Sequence, residues 1–329
     1  MTKIDLITGM LGAGKTTFLK KYANYWMKQG RKIAILENDF GAVNIDRMLL
    51  QDLQSEHCQI EMISGGCDAD CHKRRFKTQL ITLGMQQFDR ILIEPSGVFD
   101  MDEFFDLLYE SPLDRWFTAG SVLGIVDGSA ERINSNSEQM RYLFASELAC
   151  CNQLIVSKAD PEQMQKNPDA IAERILRELN HALAEIQAGR MFQKTHLLIK
   201  NWEDFTVQDY ENFASAGYTP VNYVKKFHID DFENEVHYFL HVCIPEQEIP
   251  EMLTDILQDP ACGEIYRIKG ALPGNSKKWI KINAVREKIE ISTVLDAQSV
   301  LIINGQDLNL DAIQRHITKR NTDPEYQFI

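Results

Sequence analysis

No stretch of this 329-residue chain approaches eighteen consecutive apolar residues, and its N-terminus has no basic segment leading into an apolar run and a cleavage site. Both absences argue against a membrane span or a secretory leader, and the expected location is the cytoplasm. An excess of positive charge is also missing: 35 Lys and Arg stand against 48 Asp and Glu, a formal charge of −13. Nucleic acid is therefore not an expected partner, because its recognition rests on neutralising many phosphates. Seven cysteines, at positions 58, 67, 71, 150, 151, 243 and 262, are an odd number scattered through a long chain. They read as free thiols or metal ligands and not as a disulfide framework. Internal repeats and low-complexity tracts are lacking as well.

What is present begins with Gly9-Met10-Leu11-Gly12-Ala13-Gly14-Lys15-Thr16-Thr17, a full G-x-x-x-x-G-K-T loop. It follows the apolar run Lys3–Thr8 and opens a helical pattern over Lys15–Lys28, the setting that a phosphate-binding loop requires. Gly9, Gly12 and Gly14 let successive N–H groups approach phosphate oxygens, and Ala13 and Thr17 contribute further amides. The helix aims its positive end at the same anion. Lys15 supplies an ammonium for the β- and γ-phosphates, and the Thr16 hydroxyl is placed to ligate Mg²⁺.

Up to about residue 200, β-type runs alternate with helical patterns. The runs are Lys3–Thr8, Lys32–Leu36, Ile60–Ile63, Arg90–Ile93, Val122–Val126, Gln153–Val156 and His196–Ile199. Helices read at Lys15–Lys28, Lys73–Gln86, Met101–Tyr109, Ser137–Ala149 and Ala170–Ile186. Runs rich in Ile, Leu and Val suit a parallel sheet buried on both faces, so the expectation is a doubly wound, mostly parallel α/β domain over 1–205. Nucleotide then sits at the carboxyl ends of the strands. Residues 203–222 read as a connection. The β-type runs Val224–Ile229, Val236–Cys243, Glu264–Ala271, Trp279–Asn283, Lys288–Val294 and Ser299–Ile303, with helices near Glu248–Gln258 and Asp311–Lys319, predict a smaller α+β domain over 220–329 with an antiparallel sheet. His237 and His241, four apart on one such run, share a face and could bind metal, with sheet surface the simpler reading, and Cys150 and Cys151 read as small buried hydrophobes.

Further segments fall where a nucleotide-hydrolysing switch needs them. Glu94-Pro95-Ser96-Gly97 ends an Ile-Leu-Ile run, so the Glu94 carboxylate can hold Mg²⁺ or its water and Gly97 can offer an N–H to the γ-phosphate. Ser157-Lys158-Ala159-Asp160 is a variant of the guanine-recognition sequence N-K-x-D. There Asp160 accepts from the guanine ring N–H and amine, and the Lys158 stem lies along the base. A helix-capping Asp160 before Pro161 is the plainer alternative. Glu37-Asn38-Asp39-Phe40-Gly41, followed by Asp46, reads either as a switch loop responding to the γ-phosphate or as a solvated turn. Asp127 reads as structural.

Cys67-Asp68-Ala69-Asp70-Cys71-His72 packs two thiols, two carboxylates and an imidazole directly after Ile60–Ile63. Thiolate and imidazole favour Zn²⁺ and similar metals. Cys67, Cys71 and His72 are the favoured ligand subset, with Asp70 a further candidate and His57 or Cys58 close in sequence; a polar loop with incidental cysteines is the alternative reading.

Together these segments resemble the CobW-like metal-chaperone GTPases, relatives of the nickel-delivery GTPases for hydrogenase and urease. The resemblance is carried by Ile7-Thr8-Gly9 through Thr17, Glu37-Asn38-Asp39-Phe40-Gly41, Glu94-Pro95-Ser96-Gly97, Ser157-Lys158-Ala159-Asp160 and Arg267-Ile268-Lys269-Gly270, the last like an R-x-K-G segment of the family's C-terminal domain. Where that family usually carries G-G-C-x-C-C, this chain has Gly65-Gly66-Cys67-Asp68-Ala69-Asp70, with Cys71 one residue late. The histidine-rich tract of some relatives is missing too.

The resemblance implies a Mg²⁺-dependent GTPase in which Lys15, Thr16 and Glu94 carry hydrolysis, with Asp39 a further candidate. Its GTP or GDP state is coupled to transition-metal affinity by about 1–3 kcal/mol. It also implies a client metalloenzyme or cofactor-dependent protein as partner, and a homodimer is a further arrangement to test. No arginine finger is evident, so slow intrinsic turnover is expected. Two rival readings stand beside it: a GTP-gated docking protein that carries no metal, and a P-loop small-molecule kinase, which gives no reason for the cysteine segment.

Overall fold

The computed structural model describes residues 1–10, 12–39, 50–64, 69–95, 101–129, 138–227, 235–275, 278–286, 288–294 and 299–328; the side chains of 38, 39, 64, 69–72, 102, 103, 235 and 288 lie outside that description. The chain forms two compact units, Met1–Phe232 and Glu233–Ile329.

The first unit is built on seven parallel strands: β1 (Thr2–Thr8), β2 (Ile33–Asp39), β3 (Cys58–Ser64), β4 (Arg90–Glu94), β5 (Phe117–Asp127), β6 (Gln153–Ser157) and β7 (Leu197–Leu198). Their order is β3-β2-β4-β1-β5-β6-β7, and every pairing is parallel. Strand residues alternate between two apolar layers. Leu36, Ile93, Val122 and Val156 join a core with Phe76, Leu80, Phe104, Ile175 and Leu179 from helices Ala69–Gly84, Met101–Leu108 and Pro168–Glu185. Ile35, Leu92, Ile125 and Ile155 face the other way, onto Phe18, Leu19 and Tyr22 of helix Lys15–Lys28 and Phe213 of helix Val207–Ser215. This is the expected three-layer doubly wound domain. Burying both faces of each strand explains why the runs show little polar alternation.

A buried ion pair ties the layers together. Arg90 of β4 bonds Asp5 of β1, which also accepts from Tyr22 at 2.8 Å and from the Ser121 amide at 2.8 Å. Burial pushes the Asp5 carboxyl above its ordinary value against the pull of Arg90.

Helix Val207–Ser215 corrects the expectation of a plain connection over 203–222. Thr206 and Asp209 form a reciprocal capping box at its start, and Phe213 anchors its apolar face. The strand expected over Val224–Ile229 is absent at 224–227, and 228–234 lie outside the described residues.

The second unit holds a six-stranded sheet: β8 (Glu235–Leu240), β9 (Glu264–Pro273), β10 (Trp279–Val285), β11 (Lys288–Val294), β12 (Val300–Gln306) and β13 (Gln327–Phe328), in the order β11-β10-β9-β12-β8-β13. All its pairings are antiparallel. Helices Ile249–Gln258 and Leu310–Thr318 supply Ile249, Leu253, Ile256, Ile313 and Ile317 to its core. Gly270, inside the R-x-K-G segment, is required by contact: a Cβ there would lie 2.3 Å from the Val300 carbonyl oxygen. His237 and His241 do not share a strand face, because β8 ends at Leu240 and His241 takes a left-handed φ of 54°. Among the described residues no helix is long and apolar enough to cross a membrane.

Candidate functional site

The parallel register decides what meets at the carboxyl edge of the first sheet. Glu37 of β2 lies opposite Glu94 of β4, and Asp127 of β5 opposite Ser157 of β6. Between them β1 delivers the chain into the phosphate loop.

Gly9, Gly12 and Gly14 all have positive φ, at 130°, 76° and 106°. At Gly9 the need for glycine is also steric, since a Cβ would sit 2.2 Å from the Ile125 carbonyl oxygen. The loop carbonyls are held by donors: Lys15 Nζ binds those of Gly9 at 2.6 Å and Met10 at 3.3 Å, Lys158 Nζ that of Gly12 at 2.6 Å, and Ser157 Oγ that of Ala13 at 2.5 Å. A planar trans peptide whose carbonyl is engaged on one side turns its N–H to the other. The Ala13 amide closes a turn on the Met10 carbonyl at 3.0 Å. Helix Lys15–Lys28 then starts at Gly14 with no side-chain cap and no acid in its first turn, which leaves its positive end available to an anion.

Beside that helix, the Thr16 hydroxyl donates to Glu94 Oε1 at 3.0 Å. An oxygen pair of this kind, hydroxyl and carboxylate, fits a hard divalent cation such as Mg²⁺. Thr17, next in the helix, is exposed.

On the other side of the loop, Lys158 adopts a left-handed φ of 52° and pairs with Asp127 at 3.2 Å. Asp127 in turn binds the Ser129 amide and hydroxyl at 3.0 and 2.7 Å, so it is structural and also orients Lys158. Asp160 caps helix Pro161–Lys166, its Oδ1 accepting from Glu162 N at 2.8 Å. Asp160 is exposed, and its second oxygen is not part of that cap.

Two residues of this site carried no sequence reading. Trp202 donates its indole N–H to the Val156 carbonyl at 2.9 Å and packs edge-on to Phe18 at 5.8 Å. A Cβ on Gly14 would come within 3.3 Å of the Trp202 ring. Glu147, in helix Glu138–Leu148, is buried with neither carboxylate oxygen in a well-formed hydrogen bond. Burial raises its carboxyl to about 8, even though the Lys15 charge and the Gly9 N–H are close enough to pull it down. No motif marked Glu147; its only sequence signal is an acid set among apolar helix neighbours.

The metal candidates are only partly placed. Cys67 and Gly97 lie outside the described residues, as do the side chains of Asp39, Asp70, Cys71 and His72. The backbone of Asp70, Cys71 and His72 forms the first turn of helix Ala69–Gly84, which starts four residues before the expected Lys73. The strand that leads to this segment, β3, pairs with β2 so that Ser64 stands opposite Asp39. Cys150 and Cys151 are buried, as expected of inert thiols.

A parallel sheet whose first strand runs through a G-x-x-x-x-G-K-T loop into a helix, with an acid ending the neighbouring strand, defines a P-loop nucleotide-binding protein. The chain belongs more narrowly to the CobW/HypB/UreG family, whose nucleotide-binding domain is matched over residues 3–186. It is 33% identical over 172 residues to the zinc chaperone YeiR of Escherichia coli K12, an overlap covering 50% of each chain. To the zinc chaperone YjiA of the same organism it is 30% identical over 168 residues, 48% of this chain and 49% of that one. To the zinc chaperone CobW of Pseudomonas aeruginosa it is 27% identical over 218 residues, 57% and 56% of the two chains. The chain thus spans about half the length of the curated relatives it matches. Among solved structures, Zn(II)-bound YjiA GTPase from E. coli aligns with 98% of this chain and 99% of its own, at a TM-score of 0.40 and 18% identity.

Proposed function

We propose that this protein is a Mg²⁺-dependent GTPase whose nucleotide state is coupled to zinc binding, and that it passes the metal to a client protein. The observation that carries the reading is the Thr16–Glu94 contact at 3.0 Å, set against a phosphate loop in which the carbonyls of Gly9, Met10, Gly12 and Ala13 are engaged by side-chain donors. Bound Mg²⁺ would neutralise charge on the β- and γ-phosphates. Thr16 and Glu94 would hold it, Lys15 would leave its carbonyls for the phosphates, and Asp160 would select guanine through its Oδ2 while keeping its helix cap.

Zinc enters as cargo. The named curated relatives are zinc chaperones, and Cys67, Asp70, Cys71 and His72 offer a donor set of the class that binds zinc. Their segment follows β3, the strand paired with β2, and β2 in turn pairs with the strand ending at Glu94. A shift at Glu94 on γ-phosphate loss would reach the segment through two adjacent strand ends. Intrinsic hydrolysis would be slow and accelerated by the client, since the sequence shows no evident arginine finger and Arg141 is engaged with Glu185 at 2.9 Å.

The test is a calorimetric titration of Zn²⁺ into the untagged protein loaded with GDP or with a non-hydrolysable GTP analogue. Coupling of about 1–3 kcal/mol would change affinity about 5–150-fold. Equal affinities would remove the coupling, and GTP-binding protein that takes up no zinc would favour a docking role without metal.

A further inference from the structure

Away from the nucleotide site, the second unit brings together three side chains for which neither the family match nor the sequence motifs assign a role. Asp259 follows helix Ile249–Gln258, Cys262 ends the short 3₁₀ turn Pro260–Cys262, and His316 lies in the last turn of helix Leu310–Thr318. One ligand atom from each lies within 4.8 Å of the other two. We infer that Asp259, Cys262 and His316 form a separate binding site for a zinc-class divalent transition metal.

The donor chemistry favours that class. One thiolate, one imidazole and one carboxylate suit a four-coordinate borderline metal, and three protein ligands leave a fourth position for water or an incoming ligand. The geometry is fixed by backbone. The Cys262 amide donates to the Asp259 carbonyl at 3.0 Å, and the Asn309 amide to the Cys262 carbonyl at 3.1 Å, so the turn is fastened to the start of the helix that carries His316. Asn309 itself caps that helix through Ala312 N at 3.2 Å. At Gly263, a Cβ would lie 2.3 Å from the Asp307 carbonyl oxygen, so only glycine lets the turn come this close.

The ligands are also oriented. His316 Nε2 and Asp259 Oδ2 are 2.8 Å apart, and Asp259 Oδ1 accepts from Ala261 N at 2.9 Å. Cys262 is buried and free of any disulfide, while Asp259 and His316 are half-buried, so an ion has a way in from solvent. Arg315 is the nearby cation that acts on both Asp259 and Cys262. A thiolate and a carboxylate together outweigh it. Binding would displace the Cys262 thiol proton to solvent, and His316 would keep its ring proton on Nδ1 with Nε2 on the metal.

The test uses the full chain carrying C67A, C71A and H72A, so that the N-terminal cysteine segment cannot contribute. Titration with Co²⁺ alone is expected to give a saturable thiolate-to-cobalt absorption at one equivalent, displaced by Zn²⁺. Adding C262S should abolish the band, and adding H316A should weaken Co²⁺ binding at least about tenfold. No thiolate band before those additions would overturn the site, as would a band that H316A leaves undiminished. His316 is partly exposed, so H316A decides the matter even where C262S fails to fold. The nucleotide reading is untouched by either result, because GTP binding is measured separately on the same protein.

Discussion

Thr16, in the first turn of the helix that follows the phosphate loop, donates its hydroxyl to Glu94 at the end of β4 at 3.0 Å, across 78 residues of sequence. Strand order makes the contact: β4 lies next to β1, so the residue that ends one meets the helix that follows the other. Glu94→Gln keeps the size and an acceptor oxygen but removes the charge a divalent cation needs. Single-turnover GTP hydrolysis by E94Q should fall about 10²–10³-fold, while GDP binding measured without Mg²⁺ stays close to that of the unaltered protein. Undiminished hydrolysis would take Glu94 out of the site.

Glu147 makes pH a probe of the same region. Its buried carboxyl sits near 8, against an ordinary value of 4.5. Between those values the folded protein holds a proton that the unfolded chain has released, so stability declines as pH rises through the window and levels off above it. Glu147→Gln keeps the shape without the titration. Urea unfolding should therefore show E147Q gaining on the unaltered protein from about pH 5 to about pH 8, by on the order of a few kcal/mol. Parallel stability curves across that range would mean that Glu147 does not carry the proton.

Asp160 separates two roles that the sequence left tangled. Its Oδ1 caps helix Pro161–Lys166, and asparagine caps a helix about as well as aspartate. Asp160→Asn should thus leave the melting temperature nearly unchanged. Base choice should move, because Oδ2, the oxygen outside the cap, is an acceptor for the guanine donors. An asparagine that keeps its oxygen on the cap instead turns an amide donor to the base, which opposes guanine and suits the extra carbonyl of xanthine. GTP affinity should drop about a hundredfold or more relative to XTP. A variant that still prefers GTP would confine Asp160 to capping.

Most of the first unit was legible because its strands are buried on both faces and its loops carry motifs with fixed contexts. Helix Lys15–Lys28 has the bounds that the periodicity predicts, and Thr16, Glu94, Ser157 and Lys158 all come to one edge of the sheet. Helix Val207–Ser215 went unread because acids, Gly and Pro around it suggested a loop, although Thr206 and Asp209 spell its capping box. Trp202 and Glu147 were beyond reach for a different reason: the Trp202 ring packs close to Gly14 and Glu147 is buried within the field of Lys15 only through tertiary folding, and no local pattern encodes it. The Asp259–Cys262–His316 cluster fails in the same way, since its third member is 54 residues from Cys262 and on another element.

Asp5 and Arg90 test whether the scaffold can be weakened without touching the site. Asp5 lies on β1 three residues before Thr8, and the pair is sealed among Tyr22, Ser121 and the Trp26 ring, over which Arg90 stacks at 4.5 Å. A Cβ on Gly120 would sit 2.2 Å from Asp5 Oδ1, so the strand makes room for this carboxylate. Asp5→Leu would leave Arg90 as a buried charge without its counter-ion, at a cost of about 3–5 kcal/mol. Asp5→Asn should cost less, because it keeps an acceptor for Tyr22 and Ser121. Replacing both partners, as in D5L with R90M, removes the stranded charge and should be less damaging than D5L alone, though the orphaned Ser121 amide still costs about 1–3 kcal/mol. Urea unfolding orders the three variants. Nucleotide affinity of each, measured where it is fully folded, should match the unaltered protein, because none of these groups reaches the phosphate loop. Affinity that falls in step with stability would mean instead that the buried pair sets the geometry of β1 as far as Gly9.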